Sequence, residues 1–379
     1  MSTKSGSSSS GGAQGPPKYT RFPYQPQTEH NLNVTWSNHD DIHLGSSAIT
    51  ITRRCTGGTL SPVVEIDFPG AASGNKTAAI LKLFDRRHPP TFRDGVTGLR
   101  PHRLEDDLAW EDFVRQDKLD PFMDEISRSL KENVPWSPDY ELSDEEPQSQ
   151  ESLGRYEAGL YRTAMEYFEC ETRTYEQLKD LQGICIPRLY AHVFLDAPTI
   201  DPALAGRPEF RIYGILIEPI RGFVLSKLPN LPDEEAPPRD LWRNIVQDAV
   251  HSANGINKRG VVMHDCRAGN VLVEVNTNRV VLQDFAQCSF RDELEAQFAE
   301  EEAAGDDDNG ENGEEGNQDK LSDGMPRSYE EYVRSKGNPF AIGLPLTNKI
   351  LRKTGVNLRD KIRYFRLEEE ADNSKIIWG

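Results

Sequence analysis

Val262-Met263-His264-Asp265-Cys266-Arg267-Ala268-Gly269-Asn270, followed shortly by Gln283-Asp284-Phe285-Ala286, decides how this chain is read. The two segments place an aspartate, an asparagine five residues on, and a second aspartate fourteen beyond that. Between them lie two apolar runs, Val271-Leu272-Val273 and Val280-Val281-Leu282, separated by Asn276-Thr277-Asn278. Short β-branched runs around an Asn-rich turn predict strand, hairpin and strand, with Asp284 just past the second strand. Such a hairpin brings two carboxylates and an amide to the open ends of paired strands. Phosphoryl transfer uses a set of this kind: one carboxylate orients the attacking hydroxyl, and an Asn and a second Asp hold magnesium. A polar turn before a hairpin in any α+β protein is the bland alternative, and the upstream residues separate the two.

The spacing resembles the catalytic loop and Asp-Phe-Gly element of the protein-kinase superfamily. The resemblance implies Asp265 as catalytic base, Asn270 and Asp284 as Mg²⁺ ligands, and ATP as phosphoryl donor. Arg267, two residues after the Asp, falls where many such enzymes carry a Lys that contacts the transferred phosphate. Three features depart from the family. Met263 stands where a His is usual, with His264 directly before the Asp; His264 takes no catalytic role here, a packed core histidine being the plain alternative. Ala286 replaces a glycine and lacks its freedom at positive φ. No Ala-Pro-Glu closes an activation segment. Cys266 and Cys288 read as packing residues, because transfer to a hydroxyl requires no thiol.

Lys82 lies in Ala79-Ile80-Leu81-Lys82-Leu83-Phe84, a predicted strand apolar on both faces. A Lys buried there needs an anionic partner; at a sheet edge it would snorkel to water. Glu171 supplies a candidate. It follows Phe168 by three residues and precedes Tyr175 by four, on the apolar face of a helix predicted over 154–181. At 100° per residue Glu169 and Glu176 lie about 160° and about 140° away from it, so neither shares that face. A carboxylate in an apolar stripe asks for a buried cation, or else bonds a local Tyr or backbone group, and the resemblance implies a Lys82–Glu171 pair that sets the nucleotide-binding lysine. Thr56-Gly57-Gly58-Thr59 is short of a full glycine-rich loop; Gly57 and Gly58 are either a phosphate-approaching loop or a plain hairpin turn. The resemblance places adenine against backbone groups of Glu218 to Ile220, a joint after the strand 211–217.

The chain has 379 residues and a formal charge of −18, which argues against nucleic acid or an anionic membrane as main partner. No stretch approaches the ~18 apolar residues of a membrane span. The Ser/Gly-rich start is not a secretory signal, and five scattered cysteines lack metal-ligand spacing. An intracellular protein, cytoplasmic or nuclear, with reduced thiols is expected.

Residues 1–40 read as a disordered Ser/Gly/Pro-rich tail. Residues 41–220 read as a β-rich N-lobe with one long helix and a polar insertion at about 86–155. Residues 221–379 read as a mainly helical C-lobe carrying the catalytic hairpin, a helix over 240–257, and an acidic disordered insert at about 292–323. From 292 to 319 there are thirteen acidic residues and no Lys or Arg, and without them the formal charge is −5. Lys349 to Arg366 is basic, so either the acidic run docks there or the two are separate solvated charge runs.

The expected fold is thus α+β, bilobal and protein-kinase-like, resembling divergent kinase-like proteins of filamentous fungi. The expected activity is transfer of the γ-phosphate of Mg-ATP to a hydroxyl, with Ser or Thr of a protein first among acceptors. A pseudokinase scaffold and a small-molecule kinase of the choline or aminoglycoside type are the alternatives.

Overall fold

The computed structural model describes residues 22–40, 42–55, 60–69, 76–95, 98–142, 148–306, 325–364 and 367. Strands β1 (Glu29–Ser37), β2 (Gly45–Arg54), β3 (Val63–Pro69) and β4 (Lys76–Leu83) come first. A short ribbon, β5 (Asp94–Gly95) and β6 (Gly98–Leu99), precedes helices α1 (Leu104–Arg115) and α2 (Leu119–Lys131). The helix α3 (Gln150–Gln177) leads to β7 (Leu189–Asp196) and β8 (Arg211–Ile217). Then follow β9 (Gly222–Val224), α4 (Trp242–Lys258), β10 (Val261–Met263), β11 (Val271–Glu274), β12 (Val280–Leu282) and β13 (Cys288–Phe290). Helices α5 (Arg291–Asp306), α6 (Tyr329–Lys336) and α7 (Asn338–Thr354) complete the order. The molecule is β-rich in its N-terminal part and helical later.

Six strands close on themselves in the order β1-β2-β3-β4-β8-β7. Closure departs from the two-lobed kinase plan and comes from β1, which pairs with β2 on one side and β7 on the other. The expected N-terminal tail therefore ends too late: residues 29–37 are a strand, with Leu32 and Val34 buried at a period of two. β7 was likewise missing from the expected elements, although Ala191, Val193 and Leu195 alternate into the same core. On β4 the inward set is Ala79, Leu81 and Leu83. Lys82 thus points out of the barrel, towards α3.

Gly214 of β8 lies opposite Leu83, and a Cβ there would sit 2.5 Å from the Lys82 carbonyl oxygen. Only glycine lets the two strands meet at this register.

Helices α1 and α2 pack on the first half of α3. Trp110, Phe113, Phe122 and Ile126 form a core of their own with Ala158. Beside it lies a buried ionic cluster. Arg93 donates to Glu157 (2.5 and 3.1 Å) and Asp106 (3.1 Å), and Arg86 also pairs with Glu157.

The later part is organised by α4, whose Ile245, Val246, Ala249, Val250, Ala253 and Ile256 are buried against the hairpin and α7. The start of the acidic run is not disordered as expected: residues 291–306 form α5. Its Asp292 and Glu293 pair with Arg173 of α3, and Arg291 pairs with Glu330 of α6. The ion pairs of this described part with other elements are therefore to α3 and α6; residues 307–323 of the expected insert lie outside the described residues.

Candidate functional site

β4 presents Lys82 to α3, and the side chain is buried there. Its Nζ lies 2.5 Å from Glu171 Oε2 and 2.6 Å from Asp284 Oδ1. Residues from a strand, a helix and the segment after a hairpin, far apart in sequence, thus meet at one ammonium. Burial by itself would lower the lysine's pKa, but the charges of Asp284 and Glu171 outweigh it and raise it. Burial raises Glu171 above the usual carboxylate range, with Lys82 opposing, whereas the Lys82 charge holds Asp284 below it.

The hairpin sets Asp284. β11 and β12 pair Val271 with Leu282, and Gln283 N–H donates to Asn270 C=O at 3.0 Å. Asn270 thereby faces the residue next to Asp284. Asp284 itself adopts φ +72°. That left-handed turn swings the chain out of β12, and Asp tolerates it better than bulky residues do. The backbone freedom expected of a glycine at 286 is therefore exercised two residues earlier, and Ala286 is a buried residue packed with Phe84 and Ala164. Phe285 is buried edge-on against Tyr175, at 5.5 Å between ring centroids.

Asp265 sits between β10 and the hairpin, partly exposed. Asn270 Nδ2 donates to its backbone carbonyl and to Oδ2, each at 2.9 Å, and Arg267 Nε lies 2.9 Å from Oδ1. His264 is exposed rather than packed in the core; its Nε2 contacts Ser289 Oγ at 2.7 Å and Tyr332 OH at 3.4 Å. Cys266 is buried against Asn338, and burial pushes its thiol up to about 12.

Glu218 and Ile220 follow β8. The Glu218 carboxylate is held by Arg188 (3.2 Å) and Arg279 (2.9 Å), and its N–H donates to Arg188 C=O. Pro219 has no N–H, so Ile220 supplies the remaining N–H of this joint. Arg221, next along, is paired with Glu65 of β3. The joint is clamped on both sides. Gly57 and Gly58, between β2 and β3, lie outside the described residues.

Lys82, Glu171 and Asp284 are thus brought into one cluster, with Asn270, Asp265 and Arg267 in a second, hydrogen-bonded set joined to it through the hairpin. Among the described residues no group of three or more His, Cys, Asp or Glu converges as a metal cage, and no helix is long and apolar enough to cross a membrane.

Sequence reasoning missed Glu157, which fixes the other half of the helix that carries Glu171. Its signal was present: fourteen residues is nearly four helical turns, so Glu157 and Glu171 differ by only about 40° around α3.

No family model and no curated protein matches the sequence. Among solved structures the chain is similar to WaaP in complex with acyl carrier protein, at 19% identity and a TM-score of 0.25. That alignment covers 32% of this chain and half the length of the other.

Proposed function

We propose that this chain is a kinase-like phosphotransferase that moves the γ-phosphate of Mg-ATP to a hydroxyl, a protein Ser or Thr in the first instance. The observation that carries it is the meeting of Lys82, Glu171 and Asp284. One cation shared by two carboxylates leaves an excess negative charge, a place that favours a further cation. Magnesium binds through one or two carboxylates together with substrate phosphates and water, and does not need a protein cage. The Asp284 carboxylate and the Asn270 side-chain carbonyl are hard oxygen donors of the right kind, since Asn270 already commits its Nδ2 to Asp265. Bound there, the ion would neutralise phosphate charge.

The residues of the chain do the rest. Lys82 holds the nucleotide phosphates, and Glu171 holds Lys82 in place. Asp265, itself oriented by Asn270, accepts the hydrogen bond of the acceptor hydroxyl and positions it for in-line attack. Arg267 offsets charge developing on the transferred group. Backbone groups of Glu218 and Ile220 meet the adenine.

A second reading, a nucleotide-binding scaffold without transfer, draws on a specific observation: Asp265 and Asp284 are each already paired within the chain, to Arg267 and to Lys82. The experiment compares the purified protein with Asp265→Asn, using γ-labelled ATP and both protein and small-alcohol acceptors. Label transfer that falls by about 10²–10⁴-fold in the variant supports the phosphotransferase, and the acceptor labelled names the substrate class. Mg-ATP binding with no transfer to any acceptor, or to the protein itself, selects the scaffold.

A further inference from the structure

Cys170 lies on α3 one residue before Glu171, and Cys288 opens β13 four residues after Asp284. The Cys288 N–H donates to Cys170 Sγ at 3.2 Å, and that sulfur lies 3.4 Å from the Phe285 carbonyl and 3.6 Å from the Cys288 carbonyl. Both are free thiols, and neither is fully buried. The hydrogen bond with the Cys288 side chain lowers the Cys170 pKa, whereas the same contact and burial raise that of Cys288. Cys185 and Cys266 differ: both are buried, and burial pushes them up to about 11 and about 12. A thiol with enhanced thiolate character beside a resolving thiol is the arrangement found where cysteines respond to oxidants.

We propose that Cys170 and Cys288 form a reversible disulfide on exposure to a hydroperoxide, tying α3 to the segment that follows Asp284. The Cys170 thiol sheds its proton and the thiolate attacks one peroxide oxygen; the O–O bond breaks, the departing hydroxide or alkoxide takes up that proton as water or an alcohol, and Cys170 becomes a sulfenic acid. Cys288 then gives up its proton and attacks the Cys170 sulfur. The S–S bond forms, the S–O bond breaks, and hydroxide leaves with that proton as water. The peroxide gains two electrons and the thiol pair loses two. A thiol reductant reverses the change.

The consequence for ATP rests on the function proposed above. Phosphates must take Lys82 over from Asp284, and a segment tied to α3 does not give way. The oxidised protein therefore binds Mg-ATP about fivefold or more weakly than the reduced one.

The test treats the full chain with hydrogen peroxide and maps its peptides without reduction, beside Cys170→Ser and Cys288→Ser. A linked Cys170–Cys288 peptide that disappears on reduction, and is absent from both variants, is the expected result. Separate oxidation of the two residues with no linked peptide overturns the proposal. Mg-ATP affinity is then measured before and after oxidation. A linked peptide with unchanged affinity overturns the control of the site, and a reduced protein that binds no Mg-ATP overturns the proposed function while leaving the cross-link intact.

Discussion

Glu157 and Glu171 stand on the same helix, both buried, both paired with cations from β4 or the chain just after it, yet their chemistry is opposite. Burial would raise Glu157, but Arg93 and Arg86 pull it down to about 2. Glu171 has the single ammonium of Lys82 and shares it with Asp284, so burial wins and its pKa rises. Over-supplied with positive charge, the first glutamate is a fixed clamp. Under-supplied, the second belongs to a cluster that a cation and phosphates can rearrange. The number of partners around each group, more than its burial, separates a structural ion pair from a functional one.

The largest effect that sharpens this contrast is on stability. Glu157→Gln leaves two buried guanidiniums short of a partner and should cost about 3–5 kcal/mol in urea unfolding. Glu171→Gln leaves Lys82 with Asp284 and should cost clearly less; equal losses would erase the distinction. The next effect is acid sensitivity. Glu157 has a folded pKa below its ordinary 4.5, so its contribution is present above that pH and is lost as pH falls towards about 2. That amounts to about 3 kcal/mol. An acid titration of stability should therefore be shallower in Glu157→Gln than in the parent. For Glu171 the sign reverses. A raised folded pKa means that the folded state holds its proton longer, so stability falls as pH rises above the ordinary carboxylate value. Glu171→Gln should remove that fall, and a variant that keeps it would place the titration elsewhere. The smallest effect is on ligand affinity: Glu171→Gln should weaken Mg-ATP binding about tenfold, about 1.4 kcal/mol, by calorimetry, while Glu157→Gln, once folded, should change it by less.

Much of the hairpin and the helix that carries Glu171 were legible because periodicity and turn residues act over short distances. β4, β8, α3 and α4 fall close to where apolar runs or a 3.6-residue stripe put them. The Lys82–Glu171 pairing was legible for another reason: two charges, each in an apolar pattern, were anomalies that explain one another. β1 was lost because Leu32 and Val34 follow a run of Ser, Gly and Pro whose composition dominated the reading. Barrel closure could not be read locally, since it rests on Asn33 pairing with Phe194 across most of the N-terminal part. α5 was misjudged because thirteen like charges outweighed the partners that tertiary structure supplies, Arg173 above all. The left-handed turn at Asp284 was not legible, because the family motif assigns conformational freedom to a glycine two residues on and backbone angles are not written in the sequence.

The length of α3 carries a last consequence. At 28 residues it runs about 42 Å, with Ala158 in the core formed by α1 and α2 and Tyr175 in the core around α4. One rod is rooted in both, so neither core can melt without pulling on the other. In amide exchange the two should open as one cooperative unit rather than as separate foldons, and the slowest-exchanging amides of the molecule should run along this helix.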